Sequence, residues 1–431
     1  MAKIDILLGL QWGDEGKGKQ IDELLPTYDG VARFQGGDNA GHTIKLNDIS
    51  IVGHLLPSGF LRPGADMFIG NGLVVNPVSL IKEINQLKER DIDVTDRLYI
   101  SERAKLVTYL HPFIDQAEEA RLGKSSVGTT LRGIGPAYSQ ARGRQGLLIG
   151  EVLGSNYEER LETFIDFQMT TLGMYKKWGY EISTEKIAEA KEIWDKAVRE
   201  MKKLKICDVS SLVRTKLAEG KKIMAEGAQG AMLDFDFGDY PNVTSSNTLT
   251  ANICLGLGVP HTAIGDVCGV VKAYVTKVGG GYFPSRIKDE EVEKLFQEAG
   301  GEFGATTGRR RMCGWMDLPA LRHAIYLSGT TKLFINKTDI CPVDTIRVVT
   351  GYIDKNGQAI KSMPFHLNEI VDVETKEFKG WGKDVYGIND KTKLPEELVT
   401  YIDYIQSQVE DLGVKIISIG TGPDRNQSVS W

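Results

Sequence analysis

Nine residues near the start of the chain combine glycines, lysines and a carboxylate in an order suited to phosphate chemistry. Residues 11–19 read Gln-Trp-Gly-Asp-Glu-Gly-Lys-Gly-Lys and follow an apolar run, residues 4–10, that predicts a strand. Glycines let a backbone turn sharply and approach a ligand, and backbone N–H groups with lysines suit phosphate. Asp14 beside them suits a metal ion or a proton transfer. The run predicts a nucleotide site.

The run departs from the common phosphate-binding loop, which has a glycine five residues before Gly16 and a hydroxyl residue after Lys17. Gln11 and Gly18 occupy those places. The usual hydroxyl ligand of Mg²⁺ is therefore missing, and Asp14 or a backbone carbonyl would have to replace it. The alternative interpretation is a glycine-rich surface turn with solvated lysines.

A second glycine-rich segment, residues 36–43, contains the histidine with the best setting for catalysis. It reads Gly-Gly-Asp-Asn-Ala-Gly-His-Thr. A lone histidine is usually structural or exposed, but His42 follows Gly41 in a loop as glycine-rich as the first, and Asn39 adds amide donors. We predict a catalytic role for His42.

Residues 336–339, Asn-Lys-Thr-Asp, have the form by which many GTP-binding proteins read guanine. Guanine presents N1–H and an exocyclic amine side by side, and one carboxylate accepts both. Adenine would leave Asp339 unpaired, at a cost of about 1–3 kcal/mol. The alternative is a turn that ends a strand with an asparagine cap.

Three further segments carry groups that bind anions. Residues 304–311 place Arg309, Arg310 and Arg311 behind two threonines, and guanidinium forks match carboxylate and phosphate oxygens. The alternative for them is a solvated basic turn. Residues 127–138 and 242–248 are rich in hydroxyls and are weak signals by themselves.

Composition is that of an ordinary soluble globular protein. The chain has 431 residues, of which 41% are hydrophobic and 26% charged, with a net charge of −6, so no basic excess indicates nucleic acid or an anionic membrane. Five cysteines without a Cys-x-x-Cys pair argue against a disulfide framework or a structural zinc site. With no signal peptide and no long apolar run, a cytoplasmic location is expected.

At four places in the sequence an apolar strand pattern is followed directly by a polar or glycine-rich turn. These four strand–turn pairs predict the fold. Their turns follow residues 4–10, 222–225, 332–335 and 415–419. Ligand loops after buried strands are typical of open parallel sheets. We predict an α/β fold with a large, mostly parallel central sheet flanked by helices and smaller inserted subdomains. We expect one domain over 1–431, with a helical insertion around 156–205 that packs through Trp194 and Met201, and a β-rich region over 352–400.

Eight of these segments, in order and over nearly the whole chain, resemble the adenylosuccinate synthetase family: residues 11–19, 39–43, 128–138, 226–230, 243–248, 306–311, 337–339 and 421–425. The resemblance implies a homodimer that joins IMP and L-aspartate to adenylosuccinate, the first committed step from IMP to AMP, releasing GDP and phosphate from GTP. It implies no nucleic-acid or membrane partner. By this resemblance, Asp14 would take the N1 proton of IMP, and His42 would be the acid facing the transferring phosphoryl.

The resemblance also implies the remaining site residues. Mg²⁺ would lie on the Asp14 carboxylate and the Gly41 carbonyl. The residues implied for GTP are Gly13, Glu15, Gly16, Lys17, Gly18, Lys19, Arg311, Lys337, Thr338, Asp339, Gly420, Thr421 and Gly422. Those implied for IMP or aspartate are Asn39, Ala40, Thr130, Arg144, Gln229, Thr244, Ala305, Thr306, Thr307 and Arg309, with Arg144 reaching IMP from the other subunit.

Three positions depart from the commoner family pattern: Asp38, Gln20 and Leu131. Asp38 is expected to add negative charge beside the metal and phosphates.

Two other functions remain open at this point. A GTP-hydrolysing switch fits residues 336–339 but not the missing loop hydroxyl or the many anion-binding loops, and a nucleotide kinase would form GDP and a phosphorylated product without aspartate.

Overall fold

The first strand of the chain is buried on both of its faces. Ile4, Ile6 and Leu8 belong to one apolar cluster, whereas Leu7 belongs to another on the opposite side. Successive side chains of a strand point to opposite faces, so a doubly covered strand is apolar at nearly every position. The computed structural model, which describes residues 2–46, 49–303, 308, 310–382 and 384–431, places this strand inside a large sheet.

The strands are β1 Ile4–Gly9, β2 Gly30–Arg33, β3 His42–Leu46, β4 Ile49–Gly53, β5 Asp66–Ile69, β6 Val74–Val75, β7 Leu98–Ser101, β8 Lys105–Leu106, β9 Lys205–Cys207, β10 Ile223–Gly230, β11 Ile264–Lys272, β12 Val275–Lys277, β13 Met312–Gly314, β14 Met316–Asp317, β15 Lys332–Asn336, β16 Thr345–Asp354, β17 Ala359–Ile360, β18 Ile370–Lys379, β19 Lys415–Gly420 and β20 Ser428–Ser430. The α-helices are α1 Lys17–Leu24, α2 Pro77–Lys88, α3 His111–Leu122, α4 Ile134–Arg142, α5 Tyr157–Met174, α6 Thr184–Met201, α7 Val209–Ala218, α8 Ile253–Leu257, α9 Glu290–Gly300, α10 Leu318–Ser328 and α11 Glu396–Ser407. None of these helices combines the length and the apolar character needed to cross a bilayer.

Ten strands form the main sheet in the order β20-β19-β15-β11-β1-β10-β2-β5-β7-β9. All neighbours pair in parallel except β20, which runs antiparallel to β19. The predicted α/β fold is confirmed, and the four strands read from the sequence lie close together as β19, β15, β1 and β10. Because parallel strands end at the same edge, the loops that follow them meet there.

One local prediction is wrong. Residues 226–230 were expected to form a turn, but β10 continues to Gly230. The carboxylate of Glu226 is fully buried and accepts hydrogen bonds from Ser58. A buried strand can carry a polar side chain when a residue distant in the sequence satisfies its hydrogen bonds. No local sequence pattern predicts that partner. The pairing with β1 becomes irregular between Leu7 and Gly9, where Gln229 takes a positive φ of 58°.

The two amphipathic helices expected within residues 156–205 are α5 and α6. Trp194 and Met201 pack in the core as predicted, and the indole of Trp194 donates to the carbonyl of Val107 at 2.8 Å. The β-rich region is confirmed by the antiparallel pair β16 and β18. The single-domain organisation stays a prediction.

A buried polar cluster joins α3, α4 and α5. His111 Nδ1 accepts from the backbone N–H of Thr108 at 2.7 Å, and His111 Nε2 contacts Gln140 Oε1 at 3.0 Å. Gln168 completes the cluster through bonds to Thr108 and Gln140. Because Nδ1 already accepts a hydrogen bond, a second proton on this ring would break it.

We therefore expect His111 to lower stability in acid. Burial lowers the pKa of His111 from 6.5 to about 3, although its bond to Gln140 opposes the shift. The unfolded chain binds a proton at this histidine near pH 6.5, whereas the folded chain binds it only near pH 3. The contribution of neutral His111 to the free energy of unfolding is therefore present above pH 6.5 and is lost as the pH falls toward 3. At pH 5 the loss is about 2 kcal/mol.

Urea unfolding at pH 7 and pH 5 checks this expectation. The variant His111→Gln should lose about 2 kcal/mol less than the wild type between the two pH values. Equal losses in the two proteins would contradict it.

Candidate active site

A cavity of about 990 Å³ opens where the central parallel strands end. The sequence-predicted residues that line it are Gly13, Asp14, Glu15, Gly16, Lys17, Gly18, Lys19, Asn39, Ala40, Gly41, His42, Thr130, Gln229, Thr244, Arg311, Lys337, Asp339 and Gly422. Thr338, Gly420, Thr421 and Arg144 are not part of this lining. Segments from both halves of the chain thus converge on one site, as expected of loops that follow adjacent parallel strands.

The glycine-rich run forms a tight loop that ends at the N-terminus of α1. Gly13, Asp14 and Gly16 have φ values of 90°, 61° and 88°, a region that favours glycine. Gly16 is the N-cap of α1, and no side chain caps that terminus. The free N–H groups and the helix dipole create a positive end that suits phosphate oxygens.

Glu15 organises this loop from inside the protein. Its buried carboxylate accepts from the backbone N–H groups of Gln11 at 3.1 Å and Gly13 at 2.9 Å. Lys17 Nζ donates to the same carboxylate at 2.8 Å and to the carbonyl of Gln229 at 2.6 Å. The Lys17 amine therefore lies in the cavity wall with its charge partly compensated, and the Glu15 side chain holds the loop's shape.

Asp14, the candidate base, faces the cavity with its side chain 34% exposed. Arg311 Nε lies 2.7 Å from an Asp14 oxygen, while Arg311 Nη1 lies 2.7 Å from Glu302. Glu302 is buried and is also contacted by Lys272 and Tyr274. Burial alone would raise the pKa of Glu302, but the surrounding cations hold it well below the ordinary value. Glu302 thus remains a carboxylate that anchors Arg311 beside Asp14.

His42, the candidate acid, begins β3 and is held by a carboxylate that the sequence analysis did not assign. Its Nδ1 donates to Glu226 Oε1. Ser58 donates to Glu226 from its backbone N–H at 2.7 Å and from its hydroxyl at 2.5 Å. The hydrogen bond from His42 Nδ1 to Glu226 fixes the tautomer of the imidazole ring and leaves Nε2 available for proton transfer. Burial lowers the pKa of His42, and Glu226 opposes the shift.

The side of the cavity predicted for IMP presents amides and hydroxyls. Asn39 accepts from the N–H of Gly37 at 3.2 Å and contacts the Thr244 hydroxyl at 3.4 Å. The side-chain oxygen and nitrogen of Gln229 are buried and have no hydrogen-bond partner among the residues that the structure describes. Burying an unpaired amide is costly, so these two atoms are suited to a polar ligand.

The predicted guanine segment lies at the end of β15. Asn336 donates to the carbonyl of Glu15 at 2.8 Å, which links this segment to the phosphate loop. Thr338 is buried and donates to the carbonyl of Gly420 from its N–H and its hydroxyl, both at 3.0 Å. Asp339 remains on the cavity wall. Burial raises the pKa of Asp339, and Lys337 and Lys19 oppose this.

Lys19 joins α1 to the segment after β19. Its amine donates to the carbonyls of Gly422 at 2.7 Å and Gln427 at 2.8 Å. Burial lowers the pKa of Lys19 to about 8, although the negative charges of Glu23, Asp339 and Asp424 act to raise it. Its place among carbonyls favours a role in holding the guanine side of the cavity together.

Asp38, Arg144 and the predicted aspartate segment remain among the residues named from the sequence. Asp38 does not line the cavity; its buried carboxylate accepts from Asn76 at 3.2 Å and from Ser79, and lies 3.4 Å from Arg132. One oxygen of Asp38 is thus bonded to residues at the start of α2 and lies near Arg132, and the expectation that Asp38 adds negative charge beside the metal stays a prediction. Ala305, Thr306, Thr307 and Arg309 lie outside the described residues. Arg144 is exposed on the surface, with φ 63°.

Comparisons with known proteins agree over the full length of the chain. A family model described as adenylosuccinate synthetase matches residues 6–429. The adenylosuccinate synthetase of Flavobacterium johnsoniae is 42% identical over 430 residues, covering 99% of each chain. That of Porphyromonas gingivalis is 42% identical over 430 residues, covering 100% of this chain and 99% of its own.

Two solved structures are also similar. Fully ligated adenylosuccinate synthetase from Plasmodium falciparum has a TM-score of 0.91 at 34% identity, with 100% of each chain covered. The succinoaminodeoxyadenylate synthetase of cyanophage S-2L, bound to dGMP and dATP, has a TM-score of 0.64 at 18% identity, covering 100% of this chain and 95% of its own. At that identity the second likeness concerns the fold alone.

Proposed function

The chain belongs to the adenylosuccinate synthetase family, whose members are ligases that join IMP and aspartate on the route to AMP, and we propose that it does so with GTP through a 6-phosphoryl-IMP intermediate. One observation supports this above all. A single cavity brings Asp14 and His42 together with the segment at Lys337 and Asp339 and with Asn39. Phosphate, acid–base and base-reading groups thus face a common space.

We assign IMP to the wall formed by Asn39, Thr130, Gln229 and Thr244. The unpartnered amide of Gln229 supports this, since a nucleotide supplies both donors and acceptors. GTP would lie with its phosphates at the N-terminus of α1 and its base against Asp339. Aspartate is assigned to residues 305–309 on the strength of the threonine and arginine motif.

The proposed reaction has two steps. Asp14 takes the N1 proton of IMP, and the C6 oxygen then attacks the γ-phosphorus as its bond to GDP breaks. The aspartate amine next attacks C6, forming the C–N bond as phosphate leaves with the former C6 oxygen. His42 faces the transferring phosphoryl, and Glu226 keeps its ring oriented. The protein's contribution is positioning and charge stabilisation.

The oxygen donors available in the cavity fit Mg²⁺. The Asp14 carboxylate and the backbone of Gly41 line the same space, and Mg²⁺ in nucleotide sites commonly binds one or two protein oxygens together with phosphates and water. Bound there, it would neutralise charge on the transferring phosphoryl. Arg311 contacts the same Asp14 carboxylate, so we expect this ion pair to loosen when Mg²⁺ binds there.

Product analysis tests the proposed function. The protein is incubated with GTP, IMP, aspartate and Mg²⁺, and adenylosuccinate is followed by its ultraviolet absorbance and by mass. GTP turnover should require both IMP and aspartate. Turnover with neither would favour a GTPase switch, and a phosphorylated product without aspartate would favour a nucleotide kinase.

Asp339→Asn should change the preferred nucleotide. The two-donor edge of guanine would meet an amide, whereas xanthine has an oxygen at C2 that an amide N–H can meet. We expect kcat/KM for GTP to fall at least about tenfold, the cost of one lost charge-assisted bond, and that for XTP to rise. The two values are measured by steady-state kinetics, and unchanged selectivity would refute guanine reading by Asp339.

We propose that Arg144 serves the neighbouring subunit of a homodimer. It is exposed and does not line the cavity of its own chain, and a guanidinium suits the phosphate of IMP. Inactive Arg144→Leu and Asp14→Asn proteins are mixed and subunit exchange is verified. Equal amounts that pair at random give about one half hybrids, in which one site carries both changes and the other neither, so activity should return to about a quarter of wild type. No recovery after exchange would refute the shared site.

A further inference from the structure

Residues 127–133, called here the threonine loop, take their shape from carboxylates of helix α3. Glu119 accepts hydrogen bonds from three successive backbone N–H groups: Val127 at 3.1 Å, Gly128 at 2.8 Å and Thr129 at 3.2 Å. A carboxylate that gathers adjacent N–H groups makes strong, charge-assisted bonds. The first half of the loop is thus tied to one side chain.

Asp115, one helical turn earlier on the same face of α3, ties the second half. It accepts from the backbone N–H of Gly133 at 2.9 Å and from the Thr129 hydroxyl at 2.8 Å. Asp115 is buried, so these donors also satisfy a charge that would otherwise be costly. The two carboxylates therefore hold the loop on both sides of Thr130.

Two further observations concern the centre of the loop. Leu131 adopts φ 57°, which is unfavourable for a side chain with a Cβ, and persists only where the surroundings impose it. Arg132 lies 3.4 Å from Asp38, whose neighbour Asn39 lines the cavity. The loop is thus fixed at Thr130 and joined to the second glycine-rich segment.

We propose that Glu119 and Asp115 are positioning residues that hold Thr130 ready for IMP, an inference that rests on the proposed function. Thr130 lines the cavity together with Gly128, Thr129 and the two carboxylates. The backbone N–H groups of Val127, Gly128 and Thr129 are bonded to Glu119, whereas no such bond holds Thr130 among the described residues. A loop ordered before binding spares the ligand the cost of ordering it. Removing Glu119 should therefore weaken IMP binding through Thr130 and leave GTP unaffected.

A double-mutant cycle tests this in the full-length protein. IMP affinity is measured by calorimetry for the wild type, Glu119→Ala, Thr130→Ala and the double variant. Glu119→Ala should weaken IMP binding about tenfold alone but less than about twofold when Thr130 is already alanine, because coupled residues are not additive. Glu119→Gln, which keeps an acceptor without the charge, should fall between. The KM for GTP should stay within about twofold of the wild type.

Gln116→Ala is the matched control. Gln116 is on the same helix and accepts from the Tyr180 hydroxyl at 3.3 Å, so its loss should leave IMP affinity unchanged. If Thr130→Ala does not weaken IMP binding, the proposed placement of IMP fails. If Thr130→Ala weakens it but Glu119→Ala does not, the positioning role is wrong. Equal losses from Glu119→Ala in both backgrounds, with a lowered Tm, would show a general structural role and also overturn the inference.

Discussion

Asp14→Asn is expected to lower kcat by at least about a thousandfold. An amide of the same shape cannot accept the N1 proton, and it removes a charged oxygen from the place where we propose Mg²⁺. The fold should survive, because Arg311 keeps its second partner, Glu302, at 2.7 Å. Initial rates of adenylosuccinate formation under saturating substrates give kcat directly.

Asp195→Asn provides a matched control for this experiment. Asp195 is 30% exposed against 34% for Asp14, and each is paired with a cation at 2.7 Å, Lys191 in the first case and Arg311 in the second. Asp195 is on α6 and does not line the cavity, so its substitution should leave kcat unchanged. An Asp14→Asn enzyme within tenfold of the wild type would refute the assignment of the base.

His42→Asn is expected to lower kcat by about 10²–10⁴, the range for a lost general acid or base. IMP affinity should change much less, because the ring is proposed to face the transferring phosphoryl. Glu226→Gln should give a smaller loss, since an amide can still contact the ring but no longer stabilises its charged form. Rates and calorimetric IMP affinities separate the two effects.

His323→Asn is the comparison for His42→Asn. His323, on α10, also has its pKa lowered by burial but does not line the cavity, so its substitution should not affect kcat. If His42→Asn lowers IMP affinity and kcat in equal proportion, the side chain acts in binding and not at the phosphoryl group.

Local patterns were sufficient to predict the parallel sheet and that the loops after its strands would meet at one edge. β1, β15 and β19 were recognisable because a strand buried on both faces is apolar throughout, and their polar loops had to meet because parallel strands end together. Residues of 11–19 and 336–339 line the cavity, and the ligands proposed for them follow from the identity and order of their side chains. The α5 and α6 helices followed from a 3.6-residue period.

The partners of the reactive groups were decided only by the tertiary structure. His42 and Glu226 are 184 positions apart, and Asn336 reaches the carbonyl of Glu15 across 321. Local propensity and spacing describe neighbours in the chain, whereas a buried charge is satisfied by whatever group the fold brings beside it. The composition of residues 226–230 therefore indicated a turn, whereas folding placed Glu226 within β10 against His42. A buried carboxylate needs hydrogen-bond donors, and a segment distant in the sequence, at Ser58, supplies them to Glu226.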